Sequence, residues 1–179
     1  MMFAPLLAKA KAISRPTRLA PPVTSAVFPE ISMRASYIND FAKWSSEFGF
    51  SVPVTVRFSE TDMYGHLNNT VTFAYFEFAR IEYFKHIGLM NDWLNPNGIT
   101  IPVVADLQCD YVKQVFFDET INIFVKANSV GNSSADIHYM AKNSKGEIVF
   151  TGRGSIVQIG RETSKGIPWT EKEKSLFVV

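Results

Sequence analysis

The chain is short of the residues that staple small folds together. Of its 179 residues only Cys109 is a cysteine, which excludes an intramolecular disulfide and any cysteine-based zinc cluster. No stretch approaches the roughly 20 consecutive apolar residues of a membrane-spanning helix, so an integral membrane protein is not expected. The three histidines show no metal-ligand spacing with the acids, and neither a metal nor another cofactor is expected. Charge of one sign is not in excess either. The 18 Lys and Arg face 17 Asp and Glu, which is not the balance of a nucleic-acid-binding protein. With 46% hydrophobic and 20% charged residues, the composition excludes a disordered, collagen-like or coiled-coil chain. It suits one globular domain with an appendage.

The charges are unevenly placed. Residues 1–29 hold Lys9, Lys11, Arg15 and Arg18 and no acid, leaving 14 basic against 17 acidic residues in the remainder. Phe3, Leu6, Leu7, Ala10 and Ile13 fall on one helical face, and Pro16 discourages continuation. A basic, acid-free amphipathic stretch followed by Ser, Thr and Pro is the pattern of an organellar import presequence, mitochondrial in preference to plastid. The plainer alternative is a basic tail. Residues 30–51 read as an extended linker with one short helix, whose Tyr37, Phe41, Trp44 and Phe48 dock onto the body of the protein.

The main body spans residues 52–179. Residues 52–58 alternate as a strand, and residues 59–69 form a polar loop. Residues 70–87 read as a long helix with apolar side chains nearly all round (Val71, Phe73, Tyr75, Phe76, Phe78, Ile81, Tyr83, Phe84). Burial on most faces is therefore expected, with Gly88 ending the helix. Strands follow over residues 101–112, 120–130, 134–142 and 147–159, the last two joined by a hairpin turn at residues 143–146. Gly152 and Gly154 share one face of the final strand, which predicts another backbone close by, with the helix as candidate. The economical architecture is α+β, a curved antiparallel sheet of about five strands wrapped around one long buried helix. Its exposed edge predicts pairing with a second copy.

Chemistry concentrates in residues 57–69, RFSETDMYGHLNN, directly before the helix. Gly65 permits a tight turn and exposes amides, and Asn68 or Asn69 suits a helix N-cap. A helix N-terminus offers free N–H groups and a positive dipole end, which suits a developing oxyanion. Asp62 is then a general base toward water or a carboxylate nucleophile, and His66 orients a carbonyl or shuttles a proton. Structural roles fit the same residues: Asp62 as a turn former, His66 satisfied by loop amides, an Asn as a cap only. Glu77–Arg80 and Glu82–Lys85 at i, i+3 read as helix-supporting pairs. His86 and His138 read as structural or exposed.

The run RFSETDMYGHLNNTVTFAYFEFAR resembles the hallmark segment of hotdog-fold thioesterases, close to the 4-hydroxybenzoyl-CoA thioesterase-like group and the plant acyl-carrier-protein thioesterases. Asp110-Tyr111-Val112-Lys113, Asp118-Glu119-Thr120 and the glycine-bearing last strand agree with it, so the resemblance covers residues 52–165. It implies a hotdog fold and thioester hydrolysis carried by Asp62, with the amide at Gly65 or His66 polarising the carbonyl. His66 and Asn68-Asn69 match the His-x-Asn-Asn of the acyl-carrier branch, whereas Tyr64 stands where that branch has Asn. Tyr64, Asn68, Asn69, Phe73 and Phe76 are implied around the substrate, with Tyr75 and Phe84 adding to the aromatic lining. Lys113, Arg153 and Arg161 are candidates for the phosphates of coenzyme A.

The expected function is therefore an acyl-CoA or acyl-carrier-protein thioesterase of the mitochondrial matrix, a homodimer or tetramer with its acyl tunnel at the subunit interface. The rival is a silent thioesterase-like subunit of a large mitochondrial assembly, bound to other subunits through its N-terminal arm.

Overall fold

Period-two alternation builds the sheet. In β3 (Thr120–Val130) the side chains of Ile121, Ile123 and Val125 are buried on one face, and in β4 (Ser134–Lys142) those of Ala135, Ile137, Tyr139 and Ala141. Five antiparallel strands run in the order β1-β3-β4-β5-β2, with β1 at Phe50–Thr55, β2 at Thr100–Tyr111 and β5 at Ile148–Gly160. The structure, a computed structural model, describes residues 35–177. The expected import arm and the start of the linker lie outside the described residues, as do Val178 and Val179. No helix among the described residues is long and apolar enough to cross a membrane.

The first strand starts and ends earlier than its alternation suggests, because residues 58–60 wind into a 3-10 turn. The long helix α2 (Val71–His86) packs on the apolar face of the sheet. Its buried positions are Thr72, Tyr75, Phe76, Ala79, Arg80, Tyr83 and Phe84, a single stripe with i, i+3, i+4, i+7 spacing. Burial on most faces is thus not what this chain does by itself: Ala74, Glu77 and Phe78 face outward. The spacing pair Glu77–Arg80 does not form either. Arg80 turns inward and donates from Nη1 to the Tyr139 hydroxyl at 3.0 Å, while Lys85 and Glu82 do pair, at 2.7 Å.

Gly152 and Gly154 of β5 mark a close approach, though not of the helix backbone. A Cβ on Gly152 would lie 2.6 Å from the Gln108 carbonyl oxygen of β2 and 2.6 Å from the Phe76 ring of α2. On Gly154 it would meet Leu107 Cδ1 at 2.6 Å and the Asp106 carbonyl oxygen at 2.8 Å. The neighbouring strand and a helix side chain fill the space.

The opposite face is sealed by the chain's own residues 35–48, which include α1 (Phe41–Ser46). Trp44 donates to buried His138 of β4, and Tyr37 donates to Asp110 Oδ2 at 2.9 Å. Lys126 of β3 pairs with Glu47 and stands over the rings of Trp44 and Phe48. Docking of the linker helix is as its aromatic spacing predicts, and His138 is structural. At the far end of α2, Phe84 meets Trp93 of α3 (Met90–Leu94), and Phe177, just beyond α4 (Glu171–Leu176), packs on Trp169 and Phe84.

Candidate active site

Residues 61–67 fold back on themselves before α2. Asp62 N–H donates to the His66 carbonyl at 2.8 Å, and Gly65 N–H donates to the Asp62 carbonyl at 3.0 Å. Gly65 has φ +80°, a conformation that costs other residues energy. The loop is anchored where Leu67 N–H donates to the Val115 carbonyl at 2.7 Å and His66 bridges Phe116.

Within this loop the two oxygens of Asp62 have different tasks. Oδ1 accepts from Tyr64 N–H at 2.8 Å and His66 N–H at 3.1 Å. Oδ2 lies 4.0 Å from His66 Nδ1 and accepts no hydrogen bond among the described residues. The side chain is about a third exposed (34%). One oxygen therefore holds the turn, as the structural reading of Asp62 has it, and the other accepts no hydrogen bond among the described residues. The imidazole of His66 stacks beside Tyr64 and sets its edge against Phe116.

The two amides that the resemblance names are both engaged within the loop. Gly65 and His66 both donate their N–H groups back to Asp62, so neither is available to a substrate. The available donor follows from peptide planarity. Asn68 C=O accepts from Val71 N–H at 3.0 Å and so points into the helix. In a trans peptide the N–H of the next residue points the opposite way. Asn69 N–H thus projects out of the N-terminus of α2, and it has no acceptor among the described residues. The N-cap position of α2 is Thr70, and just ahead of it Asn68 Oδ1 accepts from Thr70 N–H at 3.0 Å and from the Thr70 hydroxyl at 2.9 Å. The Asn69 carbonyl is held in turn by the hydroxyls of Thr72 at 2.7 Å and Tyr111 at 2.6 Å. A hydroxyl twelve residues into a distant strand leaves no spacing signal in a sequence, so Tyr111 could be found only in three dimensions.

Two acids in the loop have opposite environments. Glu60 is buried and accepts from Arg57 N–H at 2.8 Å, from the Arg57 guanidinium and from the Tyr75 hydroxyl at 2.7 Å. The Arg57 guanidinium holds its carboxyl down at about 2. With its lone pairs engaged, Glu60 is no base, which leaves Asp62 as the acid facing solvent. Burial pushes the Cys109 thiol up to about 11, so it is no nucleophile near neutral pH.

The expected aromatic lining is corrected in the same way. Phe76 is fully buried against Tyr139, Phe150 and Gly152, and Tyr75 and Phe84 are core residues. None of the three has surface for a ligand in this chain. Phe73 is half-buried, edge to face with Phe76. The rings exposed around the loop are instead Phe58, Tyr64, Phe116 and Phe117. Each basic candidate for phosphate binding is also engaged. Lys113 pairs with Glu147, Arg153 with Asp136 and Asp106, and Arg161 holds the carbonyls of Trp93 and Gly98. Among the described residues no three His, Cys, Asp or Glu side chains converge as a metal site requires.

Residues 56–175 match the family model of the thioesterase-like superfamily. The chain belongs to this superfamily. Its sheet and packed helix are the hotdog fold of the solved thioesterases. The Bacillus subtilis (strain 168) protein YsmA is 46% identical over 138 residues, covering 77% of this chain and 91% of that one. A thioesterase from Thermus thermophilus, solved with coenzyme A and zinc, is 31% identical with a TM-score of 0.63, covering 74% of this chain and 99% of that one. A predicted thioesterase from Bacillus stearothermophilus is 26% identical with a TM-score of 0.64, over 72% and 93% of the two chains. Membership of the superfamily makes thioester hydrolysis a plausible activity.

Proposed function

We propose that this protein hydrolyses an acyl or aryl thioester of coenzyme A or an acyl carrier protein. The observation that carries the proposal is one loop that presents both Asp62 Oδ2 and the Asn69 N–H at the head of a 16-residue helix. The thioester carbonyl accepts from Asn69 N–H and lies at the positive end of α2, which stabilises the oxyanion as it forms. Asp62 Oδ2 takes a proton from water as the water oxygen bonds the carbonyl carbon. The carbon–sulfur bond then breaks, and that proton returns to the departing thiolate. Direct attack by Asp62, through an anhydride that water later opens, gives the same products. His66 orients the carbonyl from beside Tyr64.

Coenzyme A held by the Thermus relative supports a CoA thioester as substrate. A second copy belongs in the proposal too. The free edge of β2 exposes Val103, Val104 and Tyr111, and pairing there would bring a partner surface to the outward face of α2. Localisation in the mitochondrial matrix is proposed from the basic, acid-free residues 1–29 alone.

The test is hydrolysis of a chain-length panel of acyl-CoAs and one aryl-CoA by the full chain and by Asp62→Asn. The variant keeps an Oδ1 that can accept from Tyr64 and His66. Loss of roughly 10²- to 10⁴-fold in kcat with the fold intact is expected. Equal turnover would remove Asp62 from the mechanism. A folded protein without turnover on any substrate would favour the silent subunit of a larger assembly.

A further inference from the structure

Glu60 is hydrogen-bonded to the turn before the loop, to the end of the loop and to α2. Its carboxylate accepts from the Tyr75 hydroxyl, one turn inside α2, at 2.7 Å and from Arg57 at the start of the turn. Its main-chain carbonyl accepts from Asn68 N–H, at the far end of the loop, at 2.8 Å. Asp62 follows Glu60 by two residues, and the Asn69 amide follows Asn68 by one. A single buried residue thereby spans the base and the oxyanion donor, and it ties both to the helix whose dipole they share. Its own acid–base chemistry is closed off by the four hydrogen bonds its carboxylate accepts.

We propose that Glu60, through Tyr75, is a positioning residue that sets the gap between Asp62 Oδ2 and the Asn69 N–H. This rests on the hydrolytic reading above. Reacting groups need placement to within a fraction of an ångström, and about 1 Å of error can cost on the order of 100-fold in rate. A bond that only stabilised the fold would lower the melting temperature and leave turnover well below it unchanged.

Two variants test this in the full chain. Tyr75→Phe removes one hydroxyl and leaves Glu60 with Arg57. Glu60→Gln keeps the shape and loses the charge. Both are assayed for kcat and KM on the acyl-CoA that wild type hydrolyses, together with hydrogen exchange of residues 61–70. Each is expected to lose roughly 10- to 100-fold in kcat with KM within about twofold. The double variant should lose less than the product of the two single losses, since both weaken the Glu60–Tyr75 bond. Asn68 N–H should exchange about tenfold faster, as for the loss of one buried hydrogen bond. A kcat within twofold of wild type in both singles overturns the proposal. If wild type hydrolyses nothing, the hydrolytic reading falls on that result, and exchange at Asn68 still decides for Glu60. Unchanged exchange overturns its positioning role.

Discussion

Trp44 Nε1 donates to Nδ1 of His138 at 2.7 Å, which makes the histidine an acceptor on that side and puts its proton on Nε2, facing Asp136 Oδ2 at 2.9 Å. The bond joins residues 35–48 to the sheet and has a pH limit. Burial holds the imidazole below its ordinary value of 6.5, with Lys126 and Arg153 acting in the same direction and Asp136 opposing them. Glu47 and Asp110, on Lys126 and Tyr37, complete the charges around the segment. A histidine depressed in the folded state binds its proton first when undocked, so its contribution is complete above about pH 6.5 and is lost as pH falls below that. Protonation at Nδ1 also removes the acceptor for Trp44. Hydrogen exchange over residues 35–48 should therefore rise below about pH 6 while β3 and β4 stay protected. His138→Asn, which keeps an acceptor and does not titrate, should flatten the response. An equal response in both proteins would show that another group is responsible.

Gly152→Ala tests the packing of the helix on the sheet. The added methyl meets a backbone oxygen on one side and the Phe76 ring on the other, both at 2.6 Å. Phe76 is itself stacked on Tyr139, with ring centres 4.3 Å apart, and has nowhere to retreat. The expected loss is about 3 kcal/mol, the upper part of the range for overpacking, read from the denaturation midpoint in urea. A change below 1 kcal/mol would mean that β2 and β5 separate more easily than their register implies.

Asn69→Pro isolates the amide. Position 69 lies just before the N-cap Thr70 of α2, so a proline there removes no hydrogen bond of the helix. The substitution deletes the N–H and the side chain together, and Asn69→Ala deletes the side chain alone. Hydrolysis should fall roughly 10²- to 10³-fold in the proline variant and by less than tenfold in the alanine variant. Circular dichroism checks that α2 persists. Equal activity in the two would assign the donor elsewhere.

Pairing along β2 is tested by Val104→Lys. Val104 is 42% exposed beside the strand's bulge, where a charge opposes edge-to-edge contact. Sedimentation should report a dimer for the wild type and a monomer for the variant. A monomeric wild type would sink the proposed pairing.

Strands and the helix were legible because burial repeats along them: Ile121, Ile123 and Val125 mark a face without knowledge of the partner strand. In the loop before α2, the acidic and polar side chains stand out in the sequence and the directions of the amides do not. Asp62 can be read from a motif, but whether Gly65, His66 or Asn69 presents its N–H depends on where each carbonyl turns, which residue identity does not encode. Long apolar helices mislead for a related reason. Phe76 and Phe78 look alike in the sequence, yet one is fully buried and the other 45% exposed. A rotation of about 200° over two residues separates them. Arg80 is the converse, a charged residue drawn inward by one tyrosine hydroxyl on β4.

The two outer strands of the sheet differ in kind. β2 has twelve residues, nine of them beyond Pro102 and free of proline; β1 has six, with Pro53 among them. Joining two molecules along β2 uses the long border of each. The composite sheet is then bounded on both sides by a short strand that lacks one of its main-chain donors. Such a border would give a third molecule little to continue, so edge-to-edge addition would end at the second. With β2 paired, the order β1-β3-β4-β5-β2 would thus oppose open-ended growth into fibres.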